Sequence, residues 1–330
     1  MDREAAGPAV SASNPSGELL LLSGTANPEL SARIAGEIGM TLAEMEITRF
    51  ADGEFDVKIR ESVRGHDVFL VQPTCHPVND NLIELFIVLD ALRRASASRI
   101  NAVIPYYGYQ RKEKKTQARD PISAKLMANI IELAGANRVI CVDLHAEAIQ
   151  GFFDIPVDAL IATKILARRV RERHRHDVVV VAPDSGGVDR ARKLARILDA
   201  PIAIIDKRRP RDDTVEIVSV IGDVAGAECV IVDDLISTGG TLASAAVALR
   251  ANGAIAVDIV ATHGVLSDGA MARLHEAPVD EICITDTIPY HNGSQSIDDA
   301  PKLHILSVAP LIAEAIVRVH EGCSVSELFR

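Results

Sequence analysis

The sequence contains no tryptophan, and aromatic residues fill only 3% of its 330 positions. Its five cysteines, at positions 75, 141, 229, 283 and 323, form no C-x-x-C pair and are odd in number. This spacing argues against a zinc site and a full disulfide framework, and it is typical of a reducing compartment. The motifs G-x-x-x-x-G-K-[ST] and G-x-G-x-x-G are also missing, so neither a P-loop kinase nor a Rossmann dehydrogenase is supported.

Long apolar runs are missing as well. No stretch approaches the 18 apolar residues of a membrane span, and the run at 19–22 is too short for a signal peptide. With 46 acidic and 35 basic residues the net charge is −11, which argues against nucleic acid or an anionic membrane as a partner. We expect a cytoplasmic protein whose residues 1–17, rich in Ala, Ser, Pro and Gly, form a flexible N-terminal extension.

Hydrophobic residues make up 48% of the chain, enough for two cores of the usual domain size. Short β-branched runs recur, and most are followed by a segment of helical period. This alternation predicts a largely parallel sheet covered on both faces, and therefore an α/β fold. The predicted strands are 67–72, 100–105, 138–143, 178–183, 201–206, 229–234 and 256–261.

Two similar strand and helix series predict two α/β domains, at residues 18–160 and 161–308. Each would be a mainly parallel sheet flanked by helices. The last helical pattern, 309–320, carries one apolar stripe that must be buried against another element. We expect the C-terminal segment 309–330 to pack back on the first domain.

The most informative strand end is the segment CVIVDDLISTGGT at 229–241. A buried strand is followed by Asp233 and Asp234, and then by a Ser/Thr/Gly loop that opens a helix at Thr241. Backbone amides at such a helix start suit a phosphate monoester, while the acids would accept hydrogen bonds from sugar hydroxyls or hold Mg²⁺. The pattern indicates a sugar-phosphate site, although an ordinary capped turn with two exposed acids has the same pattern.

Two other strand ends carry possible metal or diphosphate ligands. Asp184 precedes a Ser-Gly-Gly turn and a basic helix start, which suits a diphosphate with its metal ion or an ordinary helix entry. Asp143 and His145 are two residues apart, so an extended backbone points both the same way. His145 is either a metal or phosphate ligand or a structural histidine.

Two basic segments are unusual in an acidic protein. One, at 104–121, includes Arg111 and Lys112 and is either a polyphosphate-binding segment or a solvated face. The other, DKRRPRDD at 206–213, resembles a nucleic-acid patch by composition, but acids lie at both of its ends. A mobile loop that carries Lys207 and Arg209 to a developing phosphoryl charge is the better interpretation.

Together these segments resemble the ribose-phosphate diphosphokinases, also called phosphoribosyl pyrophosphate synthases, of the phosphate-activated type. The resemblance implies two phosphoribosyltransferase-type domains. It also implies transfer of the β,γ-diphosphoryl group of ATP to the C1 hydroxyl of ribose 5-phosphate, with Mg²⁺ as cofactor. It covers residues 18–330, and the matching stretches are 50–65, 104–109, 119–126, 143–158, 183–195, 204–211, 232–241 and 324–329.

The resemblance also implies roles for individual residues. Lys207 and Arg209 match the catalytic flexible-loop pair, and His145 and Asp184 match the positions associated with Mg²⁺-ATP. A neighbouring subunit would supply part of each nucleotide site. The ATP residues would be Phe50, Asp52, Gly53, Glu54, Arg111 and Lys112, and the ribose 5-phosphate residues Arg209, Asp233, Asp234, Ser237, Thr238, Gly239, Gly240 and Thr241.

Regulation and assembly are implied in the same way. Relatives are activated by phosphate and inhibited by ADP at an interface site to which Ser62 and Arg64 correspond, although ESVRG also suits an ordinary turn. We expect a homo-oligomer that is built from dimers and forms a hexamer. The chain departs from the family pattern at Lys112, where glutamine is usual, and at Ser237, where aspartate is more frequent. The alternatives are a non-catalytic regulatory subunit of an active synthase and, less favoured, a phosphoribosyltransferase.

Overall fold

The structure, a computed structural model, describes residues 17–174, 178–208, 217–267, 269–290 and 302–329, without the side chains of residues 207, 208, 217, 218 and 329. In these ranges the strands are β1 (Leu19–Ser23), β2 (Met45–Arg49), β3 (Phe55–Ile59), β4 (Asp67–Val71), β5 (Arg99–Ile104), β6 (Arg138–Val142), β7 (Val157–Leu160), β8 (Val178–Ala182), β9 (Ile202–Arg208), β10 (Ile217–Ile221), β11 (Glu228–Ile236), β12 (Ala256–Gly264), β13 (Glu281–Thr285) and β14 (Leu303–Leu306). The α-helices are α1 (Pro28–Ile38), α2 (Val78–Arg94), α3 (Ser123–Ala134), α4 (Thr163–Arg173), α5 (Val188–Leu198), α6 (Gly240–Ala251), α7 (Ala270–Glu276) and α8 (Ala309–His320). Short 3₁₀ turns lie at Glu147–Phe152, Ser185–Gly187 and Ser326–Phe329.

The first sheet has the order β1-β4-β5-β6-β7, and every pair in it is parallel. Successive residues of its strands face opposite sides, so both sides are apolar. Val68 and Leu70 belong to the core shared with α2 and α3, whereas Phe69 and Val71 belong to the core shared with α1 and α8. Strand β4 is buried at all five positions as a result.

The second sheet has the order β10-β9-β8-β11-β12-β13-β14 and is parallel except for β10, which runs antiparallel to β9. Helices α6 and α7 cover one face of this sheet, and α4 and α5 cover the other. Its strand order reverses between β8 and β11. In open α/β sheets such a reversal leaves a crevice at the carboxyl ends of the two strands, where ligands bind.

The predicted fold class, α/β with mainly parallel sheets flanked by helices, is confirmed, and each of the seven predicted strands is present within three residues at either end. The sequence did not predict the hairpin of β2 and β3, whose residues are only half-buried and lack a continuous apolar run. Helix α8 packs against α1 through Ile312 and Ile316, while α4 packs on the second sheet. The domain boundaries themselves stay a prediction.

No helix in the part of the chain that the structure describes is both long and apolar enough to cross a membrane.

Candidate functional site

The crevice between β8 and β11 gathers the acids that the sequence singled out. Asp184 follows β8 and caps the turn after it, since its Oδ1 accepts hydrogen bonds from the amides of Gly186 at 2.9 Å and Gly187 at 3.1 Å. Asp233 and Asp234 lie near the carboxyl end of β11. The strand reversal therefore places three carboxylates around one opening.

A cavity of about 890 Å³ fills this crevice and extends to the turn after β6 of the first sheet. It brings together four residues that sequence reasoning assigned to metal and sugar binding, together with cationic side chains of α5. An acidic and basic lining of this kind suits an anionic ligand accompanied by a cation. Its charged lining includes His145, Asp184, Arg190, Lys193, Asp233 and Asp234.

Arg190, near the start of α5, holds the two adjacent acids of β11. Its Nη1 lies 2.9 Å from Asp233 Oδ1, and its Nη2 lies 3.1 Å from Asp234 Oδ1. Burial and the neighbouring carboxylate raise the pKa of Asp233. Burial also disfavours the charged form of Asp234, but the hydrogen bond with His145 and the charge of Arg190 lower its pKa.

His145 connects the first sheet to these acids. Its Nδ1 lies 2.7 Å from Asp234 Oδ2, and its backbone amide donates to Gln110 Oε1 at 2.8 Å. The hydrogen bond with Asp234 raises the pKa of His145, although burial opposes the charge. Among the described residues the ring has no other partner, which leaves Nε2 available for a ligand.

The loop at 237–241 connects β11 to α6, as predicted. Gly239 has a φ of +73°, a backbone conformation that favours glycine, and a Cβ there would lie in tight contact with α7, 3.0 Å from Leu274 Cγ. Arg273 of α7 donates to the Thr238 carbonyl. Arg111, from the loop between β5 and α3, donates to Ser237 Oγ at 3.2 Å, so one predicted ATP residue lies against the predicted phosphate loop.

The other predicted ATP residues lie elsewhere. Residues 50–54 form the turn between β2 and β3, where Phe50 is 56% exposed and Asp52 accepts a hydrogen bond from the Glu54 amide at 3.2 Å. Among the described residues that line the 890 Å³ cavity, none belongs to this turn. Gly53 and Glu54 instead border a separate cavity of about 340 Å³ beside α2.

Several predicted residues do not line the cavity, and two others fall partly or wholly outside the described residues. Lys112 extends toward Asp120, with Nζ 3.9 Å from Oδ2, so an acid partly offsets the extra charge noted in the sequence. Ser62 and Arg64 are exposed on the loop between β3 and β4. The backbone of Lys207 belongs to β9, opposite Val218, but its side chain and all of Arg209 lie outside the described residues.

The donor set fits Mg²⁺ only in part. No group of three His, Cys, Asp or Glu side chains in the described ranges could hold a metal ion by itself. Mg²⁺ usually takes one or two protein ligands and completes its shell with water and substrate phosphates. The pairing of His145 Nδ1 with a carboxylate is also the usual support of a metal-bound histidine. The residues present therefore fit an ion that arrives with a phosphorylated substrate.

Fold and site together are typical of α/β proteins that bind a phosphorylated ligand at the strand reversal of a parallel sheet. Two family models match: the N-terminal domain of ribose phosphate pyrophosphokinase at residues 19–135, and the phosphoribosyl synthetase-associated domain at residues 215–330. The ribose-phosphate pyrophosphokinase of Caldanaerobacter subterraneus is 54% identical over 94% of this chain and 98% of its own length. That of Thermosipho africanus is 51% identical over 95% of this chain and 98% of its own.

A solved structure agrees with these relatives. The phosphoribosylpyrophosphate synthetase of Mycobacterium smegmatis matches with a TM-score of 0.87 and 44% identity, over 92% of this chain and 99% of that one. The chain therefore belongs to the ribose-phosphate pyrophosphokinase family, whose members are generally Mg²⁺-dependent, and the predicted resemblance is confirmed.

Sequence reasoning missed three residues that shape the site. Arg190 pairs with the acids of β11. Gln110 accepts a hydrogen bond from the amide of His145, and Arg273 donates one to the phosphate loop. Arg190 had a signal, because it stands six residues after Asp184 at a basic helix start. Gln110 and Arg273 had none, since each acts on a segment far away in the sequence.

Proposed function

We propose that this chain is a ribose-phosphate diphosphokinase, which transfers the β,γ-diphosphoryl group of ATP to the C1 hydroxyl of ribose 5-phosphate. The products are 5-phospho-α-D-ribose 1-diphosphate and AMP, which would serve nucleotide and amino-acid biosynthesis in the cytoplasm. The observation that carries the proposal is the common cavity of His145, Asp184 and the acids of β11. It is supported by full-length relatives of that name at more than half identity.

Ribose 5-phosphate would bind at the β11 loop. The amides at the start of α6 would cradle its 5-phosphate, since a helix N-terminus offers unpaired N–H groups and a partial positive charge. Of the two acids, Asp233 is the more accessible to ribose hydroxyls, because its side chain is 22% exposed and that of Asp234 only 3%. Asp234 would act mainly by holding His145 and Arg190.

ATP would bind between the first sheet and this loop. Arg111, 3.2 Å from Ser237, would lie along its phosphates, and Lys112 would add charge nearby. Phe50, Asp52, Gly53 and Glu54 would contact the nucleotide of a neighbouring subunit, because in this chain their turn does not border the large cavity. This arrangement requires at least a dimer and agrees with a hexamer built from dimers.

His145 and Asp184 would hold Mg²⁺ together with the substrate phosphates. When bound, the ion would neutralise phosphate charge and align the transferring group. The protein would contribute position and positive charge, because phosphoryl transfer needs little covalent chemistry from it. Lys207 of β9, together with Arg209, would stabilise the negative charge that develops on the transferred group. Ser62 and Arg64 would form a site for phosphate and ADP as effectors.

The proposal is tested with purified protein, Mg²⁺, ATP and ribose 5-phosphate, by following AMP and phosphoribosyl diphosphate together. We expect both products in equal amounts, and neither without ribose 5-phosphate. ATP and ribose 5-phosphate that bind without AMP release would favour the regulatory-subunit alternative instead. Consumption of added phosphoribosyl diphosphate with a nucleobase would favour a phosphoribosyltransferase.

A further inference from the structure

We infer that Thr262 and His263 are positioning residues, which fix the turn carrying His145 against the acids of the second sheet. Both belong to β12, which contributes neither the predicted sugar-binding nor the predicted nucleotide-binding residues. The inference rests on the proposed function. It explains how contacts from the second sheet orient His145, which lies in the turn after β6 of the first sheet.

The turn in question begins at Asp143, directly after β6. Asp143 has a φ of +40°, in the left-handed region that a residue other than glycine adopts at a cost. Such a conformation persists only where the surrounding contacts hold it. The Asp143 amide donates to the Leu160 carbonyl at 2.9 Å, and its Oδ2 accepts from the Ala162 amide at 3.1 Å, so the first sheet supplies part of that support.

The second sheet supplies the rest. Thr262 Oγ1 donates to Asp143 Oδ2 at 2.6 Å, and His263 Nε2 lies 3.0 Å from the Asp143 carbonyl oxygen. Because a carbonyl oxygen can only accept, the proton of this contact belongs to His263 Nε2. The ring is fully buried, its Nδ1 lies 2.9 Å from Thr287 Oγ1, and Tyr106 packs edge-on against it at 5.0 Å.

The register of the second sheet makes these contacts relevant to the site. In the pairing of β12 with β11, His263 lies opposite Leu235, the residue directly after Asp234. Strand β12, which holds Asp143 through Thr262 and His263, is therefore hydrogen-bonded to β11, the strand that carries Asp233 and Asp234. The turn that carries His145 is therefore attached to the second sheet at two points: His145 itself contacts Asp234, and Asp143, two residues earlier, accepts a hydrogen bond from Thr262.

The chain offers a matched control for this role. Thr285 is as buried as Thr262, and its Oγ1 donates to the Thr262 carbonyl at 2.7 Å, a bond within the second sheet. Thr262→Val and Thr285→Val each remove one buried hydroxyl donor at nearly constant volume. A merely structural role predicts that the two variants behave alike, whereas a positioning role predicts that only Thr262→Val affects the nucleotide.

We expect Thr262→Val to lower kcat about 10- to 100-fold, the scale of a small misplacement in an active site, and to raise KM for Mg²⁺-ATP while KM for ribose 5-phosphate stays unchanged. Thr262→Ser should restore most of the activity, because it keeps the hydroxyl. Thr285→Val should lower Tm as much as Thr262→Val and keep kcat. A binding readout by calorimetry with Mg²⁺ and α,β-methylene-ATP should show weaker binding only for Thr262→Val.

The inference is overturned if Thr262→Val and Thr285→Val lose activity and nucleotide affinity equally, or if Thr262→Val keeps both. If Thr262→Val does not fold, the comparison moves to His263. There, His263→Gln keeps a donor near Nε2 and should retain activity that His263→Leu loses; equal activity of the two overturns the inference. A wild-type protein that releases no AMP contradicts the proposed function instead, while the calorimetric comparison still tests the positioning role.

Discussion

Arg190 Nη1 lies 2.9 Å from Asp233, and Nη2 of the same guanidinium lies 3.1 Å from Asp234. Two adjacent carboxylates in a half-buried crevice repel each other, and this planar cation compensates both at once. Asp234 in turn pairs with His145. The charge balance of the candidate site thus depends on a residue with no assigned contact to either substrate.

Replacement of Arg190 tests this dependence. We expect Arg190→Met to lower kcat about 100-fold, because the acids lose their shared cation and one of them takes up a proton. Arg190→Lys should recover only part of the activity, since an ammonium group cannot bridge both carboxylates in one plane. Steady-state kinetics with both substrates measures the effect.

A matched control for Arg190 lies on the same helix. Arg192 also borders the cavity, but among the described residues its ion pair is with Asp189, at 3.0 Å, and not with the acids of β11; both side chains of this pair are largely exposed. Arg192→Met should therefore keep activity near that of the wild type. Equal losses in the two variants would show that the charge of α5 as a whole matters, rather than the bridge to the acids.

Lys207 is predicted to act on the transferring group. We expect Lys207→Ala to reduce kcat about 100-fold, a loss of about 3 kcal/mol of transition-state stabilisation, with a much smaller rise in KM for ATP. The split between kcat and KM follows because the charge that Lys207 would meet develops only during transfer. A variant with normal turnover would remove this loop from the mechanism.

The shared nucleotide site can be tested by complementation. Asp52→Ala and Arg111→Ala subunits should each be nearly inactive alone. When they are co-expressed, about one quarter of the interface sites in a randomly mixed oligomer combine an intact turn with an intact Arg111, so about that fraction of activity should return. AMP release by the co-purified oligomer measures it.

The control for complementation pairs Arg111→Ala with Lys207→Ala. These residues would belong to the same subunit's half of the site, so mixing them should restore nothing. Recovery in both mixtures, or in neither, would contradict the assignment of residues 50–54 to a neighbouring subunit's site.

The contacts of His174, which does not belong to the candidate site, predict that the stability of the fold depends on pH. Its Nδ1 lies 2.5 Å from Glu228 and its Nε2 2.9 Å from Asp258. Burial disfavours the charged ring, but these acids outweigh it and raise the pKa of His174 above 6.5. The stabilisation is therefore complete below pH 6.5 and is lost as the pH rises through the higher folded-state pKa.

The test compares His174→Gln with the wild type by thermal unfolding. We expect the variant to be less stable by about 1–3 kcal/mol near pH 6, and this gap to shrink toward pH 9. Subtracting the two curves removes the other titrating groups. A gap that stays constant, or that widens with pH, would show that the charge of His174 does not stabilise the fold.

The sequence allowed seven strands to be predicted, because most of them are continuous apolar runs buried on both faces. It did not predict the parallel strands β1, β7, β13 and β14. It did predict the 237–241 loop, where glycine and small hydroxyl residues follow a strand and open a helix. The hairpin that bears Phe50 could not be predicted from periodicity, since its strands are half-exposed. Its place in the site came only from the family resemblance.

What only the tertiary structure decided is which of these groups meet. His145 and Asp234 are 89 residues apart, and Asp143 and Thr262 are 119 apart, yet both pairs lie within hydrogen-bonding distance. Local pattern determines strands, turns and the chemistry at each strand end. Distances between strand ends depend on how one sheet packs against the other, and no short-range property of the chain contains that information.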